Sequence, residues 1–144
     1  MLYVATALAS RDGELERRVL LHRERRPAGW GTLELGGGHL ASILEDANRW
    51  GAVLLDSLTL WVSARMLAGE DEEASLEEFD RFLDGATALA TPVILVSDEV
   101  GLGIVPQSVA ARTFRDRLGL ANQRAATAAE QVHLCIAGIG LRVK

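Results

Sequence analysis

A histidine set among guanidinium groups is the most chemically suggestive feature of this sequence. His22 lies in Leu20-Leu21-His22-Arg23-Glu24-Arg25-Arg26-Pro27-Ala28-Gly29-Trp30, with Arg17 and Arg18 just upstream. A neutral imidazole can attack phosphorus and hold the product covalently. Arginine's planar fork matches phosphate oxygens better than an ammonium does, so such a cluster can hold a polyphosphate for that attack. The stretch has a plainer reading too: Leu15, Val19 and His22 share one helical face, and the arginines form its solvated side.

A second set of candidates sits at the ends of apolar runs. Thr6 follows the first run, Asp56 follows residues 52–55, and Ser97-Asp98-Glu99 follows residues 93–96. A carboxylate in Asp56's position can hold a magnesium ion that bridges phosphates. It can equally cap the helix that follows. Asp98 and Glu99 fit either a ligand site or a solvated loop.

The elements needed to position these groups can be read from periodicity. Residues 2–7 read as a buried strand, and Asp12 can cap a helix over 13–24 that Pro27 ends. A short extended piece at 32–35 leads through Gly36-Gly37-Gly38 to a helix over 40–48. Residues 52–55 form a strand and 58–67 a helix, followed by an acidic loop at 69–75 and a helix over 76–89. Residues 93–96 make the clearest strand, Ser108 caps a long helix to about 129, and strands at 132–137 and 141–143 close the chain. Strands alternate with helices and carry no polar alternation. This is the pattern of an α/β fold, a mostly parallel sheet with helices on both faces, whose ligands bind beyond the carboxyl ends of the strands.

Composition sets the bounds. At 144 residues, 1–144 is a single domain with 49% hydrophobic residues, enough for a proper core. A net charge of −5 argues against general nucleic-acid binding and makes the local basic cluster more telling. The one cysteine, Cys135, excludes an internal disulfide and points to a reducing compartment; its apolar run makes it a buried strand residue. The opening residues lack the basic start of a signal peptide, and no run approaches the length of a membrane span. A cytoplasmic protein is expected.

The usual phosphate loop, Gly-x4-Gly-Lys-Ser/Thr, is absent, and the sole lysine is Lys144. Gly36-Gly37-Gly38 could offer backbone N–H groups to an anion, or simply make a turn. His22, His39 and His133 are too scattered for a metal triad, and no Gly-x-Ser-x-Gly elbow occurs.

Several segments together resemble one family. Val93-Ile94-Leu95-Val96-Ser97-Asp98-Glu99-Val100-Gly101-Leu102-Gly103-Ile104-Val105-Pro106 is similar to a segment of the bifunctional adenosylcobinamide kinase / adenosylcobinamide-phosphate guanylyltransferase family. So are Phe114-Arg115-Asp116-Arg117-Leu118-Gly119, Asn122-Gln123-Arg124, Ala128-Ala129-Glu130-Gln131-Val132 and the ending from Ala137 to Lys144. His22 with Arg26-Pro27-Ala28 and Trp30 resembles the stretch around that family's guanylylated histidine. Leu2-Tyr3-Val4-Ala5-Thr6 and Val53-Leu54-Leu55-Asp56-Ser57-Leu58-Thr59 fit as well.

The resemblance implies a P-loop NTPase (RecA-like) fold, a homotrimer and a role in cobalamin biosynthesis. It implies phosphorylation of adenosylcobinamide from ATP or GTP, then transfer of GMP from GTP to adenosylcobinamide phosphate through a GMP-histidine intermediate. His22 would be the nucleophile. Arg23, Glu24, Arg25, Arg26, Glu34 and Asp56 would line the guanine-nucleotide site, with Thr6, Ala7 and Leu8 beside it. Asp56 would be the magnesium ligand. Members of the family begin with a strand and a Gly-Gly-x-Arg-Ser-Gly-Lys-Ser loop ahead of the strand that here is residues 2–7. Without them the kinase step is not expected of the chain as given. A shortened chain is expected rather than a naturally loop-free enzyme. The sheet is expected to lack an interior strand, leaving unpaired backbone groups that each cost on the order of 1–3 kcal/mol. Ala7 and Leu8 also stand where the family has more polar residues, and Arg25 where it has glycine. The alternative is a non-catalytic α/β module that binds a nucleotide or a partner.

Overall fold

The computed structural model describes residues 1–7, 17, 20–21, 23–24 and 26–144. Four short parallel strands, β1 (Leu2–Ala5), β2 (Gly31–Glu34), β3 (Val53–Asp56) and β4 (Val93–Val96), form a sheet in the order β2-β1-β3-β4. Ala5 is in register with Glu34 on one side and Asp56 on the other, and Asp56 with Val96. All four carboxyl ends therefore lie along one rim. The expected gap inside the sheet is not found: β3 pairs with β1 and directly with β4, so its backbone groups are satisfied on both sides.

Among the described residues, four helices with both ends defined accompany the sheet: α1 (Ala41–Ala47), α2 (Leu58–Leu67), α3 (Glu72–Thr87) and α4 (Val109–Ala128). They share one core with alternate strand residues. Leu2, Val4, Val53 and Leu55 pack with Ile43, Trp61, Phe79, Phe82 and Leu118. Because strand side chains alternate between faces, the other face is made by Thr32, Glu34, Tyr3, Ala5, Leu54, Asp56, Ile94 and Val96. Thr32, Glu34, Ile94 and Val96 are exposed on it. The α/β class with a parallel sheet is as expected. Among the described residues the helices α1–α4 cover one face, and the second is approached by the segment ending at Arg26. At Arg17, Leu20, Leu21, Arg23 and Glu24 the backbone is helical, as expected for that segment.

Helix starts follow capping chemistry. Ser108 Oγ accepts from the Ala111 N–H at 3.5 Å, as the sequence suggests. α3 begins inside the expected acidic loop because Asp71 caps it, accepting from Glu73 N–H at 2.9 Å and Ala74 N–H at 3.3 Å. Glu72 and Glu73 then sit at the helix's positive end, where acidic side chains are stabilising.

The chain closes with an antiparallel hairpin, β5 (His133–Ile136) and β6 (Ile139–Arg142), turning at Ala137 and Gly138 with positive φ of 51° and 79°. The hairpin forms its own two-stranded sheet. With no second layer over it among the described residues, Cys135 is exposed, which corrects its expected burial. His133 is exposed too, its ring 3.4 Å from the Gln131 side-chain oxygen.

Candidate functional site

Parallel pairing brings Glu34, Thr6 and Asp56 to one rim from three strands that are distant in sequence. Tyr3, on the central strand β1, sits between Thr32 and Leu54 in register and shares the outward face with Thr32 and Asp56. Its hydroxyl donates to Asp56 Oδ2. The Arg26 guanidinium lies over its ring, 3.7 Å from the centroid, and Arg26 Nη1 donates to Thr32 Oγ1 at 3.1 Å. Such a stack on an aromatic face is attractive and holds the arginine's plane. Burial, then the hydrogen bond and charge of Asp56, push the Tyr3 hydroxyl up to about 12, against a smaller downward pull from Arg26. The phenol therefore stays a donor to Asp56 at any ordinary pH.

Beside this cluster, a cleft of about 470 Å³ is lined by Arg23, Arg26, Pro27, Ala28, Trp30, Thr32 and Glu34. Arg23 pairs with Glu34 across it. Both side chains are about half exposed, and an ion pair in that setting contributes little, about 0–1 kcal/mol. An incoming phosphate can take Arg23 from Glu34 at small cost. Arg26 Nε is shielded from solvent and has no acceptor among the described residues. The cleft thus carries two cations with donor capacity left for an anion, an aromatic wall in Trp30 and one carboxylate.

The expected site residues fall into distinct places. His22, Leu8 and Arg25 lie outside the described residues. Arg23, Arg26 and Glu34 come together in the cleft. Glu24 is exposed, and its side chain makes no hydrogen bond to a described residue. Ala7, just past β1, is half-buried and can offer only backbone groups. Thr6 is fully buried: its hydroxyl donates to the Ser57 carbonyl at 2.7 Å and accepts from the Ser57 N–H at 2.7 Å. It ties the ends of β1 and β3 together, so its effect on a ligand runs through that backbone rather than through contact.

Asp56 is not the cap of α2. Ser57 Oγ fills that role, accepting from Leu60 N–H at 3.3 Å, which leaves the Asp56 carboxylate for the outward face. The other oxygen of that carboxylate has no protein donor among the described residues. No group of three or more His, Cys, Asp or Glu side chains converges as a metal set among those residues. A lone carboxylate suits a cation that arrives with a nucleotide rather than one caged by protein.

Gly36-Gly37-Gly38 does not form an anion nest. Gly36 N–H donates to the Ala5 carbonyl at 3.1 Å and Gly38 N–H to the Leu35 carbonyl at 2.9 Å. Two side chains hold the loop's carbonyls: Trp61 Nε1 donates to Gly38 O at 3.1 Å and Arg65 Nη1 to Gly37 O at 3.1 Å. Asp98 ties its loop to α2 and α4 through its backbone N–H and carbonyl, and Glu99 bonds within the loop. Asp98 N–H donates to Thr59 Oγ1 at 2.8 Å, and Glu99 Oε1 accepts from Gly101 N–H at 2.6 Å.

Sequence reasoning missed Tyr3 and Thr32. Tyr3 reads as one more apolar strand residue. Only the pairing of β1 between β2 and β3, which is not local information, shows it sharing a face with Asp56.

Residues 1–143 match the family described as cobinamide kinase / cobinamide phosphate guanyltransferase. The chain is 37% identical to the bifunctional adenosylcobalamin biosynthesis protein CobP of Pseudomonas aeruginosa, over 99% of this chain and 81% of that protein. It is 35% identical to the bifunctional adenosylcobalamin biosynthesis protein CobU of Salmonella typhimurium and 36% identical to that of Escherichia coli. Those two matches span 100% of this chain and 86% of each relative.

Proposed function

The chain belongs to the cobinamide kinase / cobinamide phosphate guanyltransferase family, and from that premise we propose that it transfers GMP from GTP to adenosylcobinamide phosphate in adenosylcobalamin biosynthesis. The observation that carries this reading is the cleft gathering Arg23 and Arg26, which follow His22 closely in sequence, with Glu34 on the outward face of β2. His22 attacks the α-phosphorus of GTP. A P–N bond forms, the bond to the bridging oxygen breaks, and pyrophosphate leaves with that electron pair. Arg23 and Arg26 neutralise the charge that grows on the leaving group, where preorganised cations act most strongly. A phosphate oxygen of adenosylcobinamide phosphate then attacks the same phosphorus and frees the imidazole.

Asp56 would hold a magnesium ion through the oxygen that Tyr3 leaves free. Held there, such an ion would supply charge neutralisation to the nucleotide's phosphates. Phosphorylation of adenosylcobinamide from ATP or GTP belongs to the same reading. The residues of this chain support that kinase step less, because no Gly-x4-Gly-Lys-Ser/Thr segment occurs in the sequence.

We place the protein in the cytoplasm, with its nucleotide substrates; no helix among the described residues is long and apolar enough to cross a membrane. A homotrimer completes the proposal. Ile136, Ile139, Leu141 and Val143 on the hairpin are exposed, as are Leu102 and Ile104. Exposed apolar side chains of that kind are what partner subunits cover.

The test is incubation with α-labelled GTP and magnesium. The expected product is a protein adduct that is labile in acid and stable in base, formed by the wild type and not by His22→Ala. Equal labelling of the variant would overturn the role of His22. Calorimetric binding of GTP without any adduct would favour the non-catalytic nucleotide-binding module instead.

A further inference from the structure

The side chain that joins the two charged halves of the site belongs to neither the basic segment nor the strand-end carboxylates. We propose that Tyr3 is a positioning residue for guanylyl transfer: its ring aligns Arg26 over the cleft, and its hydroxyl orients Asp56. The proposal rests on the guanylyl-transfer reading above.

The geometry argues for more than core filling. Tyr3 lies on the central strand of the three that end at the site, so one side chain reaches both neighbours. Its ring supports the Arg26 guanidinium at 3.7 Å, and its register partner Thr32 holds Arg26 Nη1 at 3.1 Å. A long side chain with many rotamers is thereby fixed at two points. Arg26 Nη2 makes no hydrogen bond among the described residues and is available to an anion in the cleft. On the opposite side the phenol donates to Asp56 Oδ2, which fixes the carboxylate plane. Tyr3 itself is buried and does not line the cleft, so it acts through these two residues. A ring present only for packing would need no hydroxyl there, and phenylalanine would serve as well.

Two variants separate the halves of the role. Tyr3→Phe keeps the stack under Arg26 and loses the bond to Asp56. The rate constant for adduct formation should fall on the order of tenfold, as expected for a bond to a charged group. The GTP affinity measured by calorimetry without added metal should stay within about twofold, since the stack persists. Tyr3→Leu removes both supports and should also weaken GTP binding by about tenfold. In an Asp56→Asn background, Tyr3→Phe should cause no further loss of rate, because the two groups act as a unit.

The Phe variant alone decides the matter if the Leu variant does not fold. Labelling by Tyr3→Phe at the wild-type rate overturns the proposal, as does the full tenfold loss persisting in the Asp56→Asn background. If the wild type forms no adduct, the guanylyl-transfer reading falls and takes this role with it. If the wild type labels and Tyr3→Phe labels equally, only Tyr3's role falls.

Discussion

Replacing Thr6 by valine removes one hydroxyl from a fully buried position and changes the side chain's shape hardly at all. The consequence can be counted bond by bond. The Ser57 N–H, which donates to Thr6 Oγ1 at 2.7 Å, is left without an acceptor. A buried donor orphaned in this way costs about 1–3 kcal/mol. The Ser57 carbonyl loses the Thr6 hydroxyl but keeps the Trp61 N–H at 3.2 Å, so its loss is that of one ordinary bond, about 0.5–1.5 kcal/mol. Together the expected destabilisation is about 2–4 kcal/mol. With a urea slope of about 2 kcal/mol/M, the unfolding midpoint should fall by about 1–2 M. Thr6→Ser is the control: it keeps both hydrogen bonds and loses one methyl group, worth about 1 kcal/mol. A valine variant within about 0.5 kcal/mol of the wild type would refute the clamp, since changes that small are typical of sites without such a feature. So would a serine variant as damaged as the valine one. If Thr6 instead touched the nucleotide, valine would weaken GTP binding even under conditions where the variant is fully folded.

Arg65 offers a second stability test. It is nearly buried, pairs with Glu70 and with Glu78 at 2.6 Å, and donates to the Gly37 carbonyl. Arg65→Met should cost about 3–5 kcal/mol, because two carboxylates lose their partner. That corresponds to a fall in Tm of about 10–15 °C, and a shift below about 3 °C would count against the network. Tyr3 makes a prediction about alkaline stability. Its hydroxyl is pushed up to about 12 in the native state from its ordinary 10.0, so the native state holds the extra proton between those pH values. Its contribution is complete below that window and is lost as pH rises through it. With a chelator present, the urea midpoint of the wild type should drop more than that of Tyr3→Phe between pH values of about 9 and 11.5. Parallel curves would remove the basis for the raised value.

Much of the fold could be read locally. The strand at Val93–Val96 and the helix Val109–Ala128 behind Ser108 stand where short-range pattern places them. Both signals are local: a continuous apolar run, and a hydroxyl one residue before helical periodicity. The start of α3 escaped because Gly69–Ser75 carries an acidic composition that resembles a loop, while the decisive feature was the single cap at Asp71. Cys135 escaped for another reason. Its apolar neighbours make a strand, but a strand buries a residue only if another layer covers it, and the hairpin has none among the described residues.

The sequence by itself determined the elements, the basic segment with its histidine, and the family. These depend on residue type and spacing along the chain. Tertiary structure alone decided which residues meet. It placed Tyr3 between Arg26 and Asp56, turned Thr6 from a candidate ligand contact into a buried clamp, and gave the cap of α2 to Ser57 rather than Asp56. The reason is the parity of parallel pairing. Which side chains share a face depends on the register of strands dozens of residues apart, and local preference carries no information about that register.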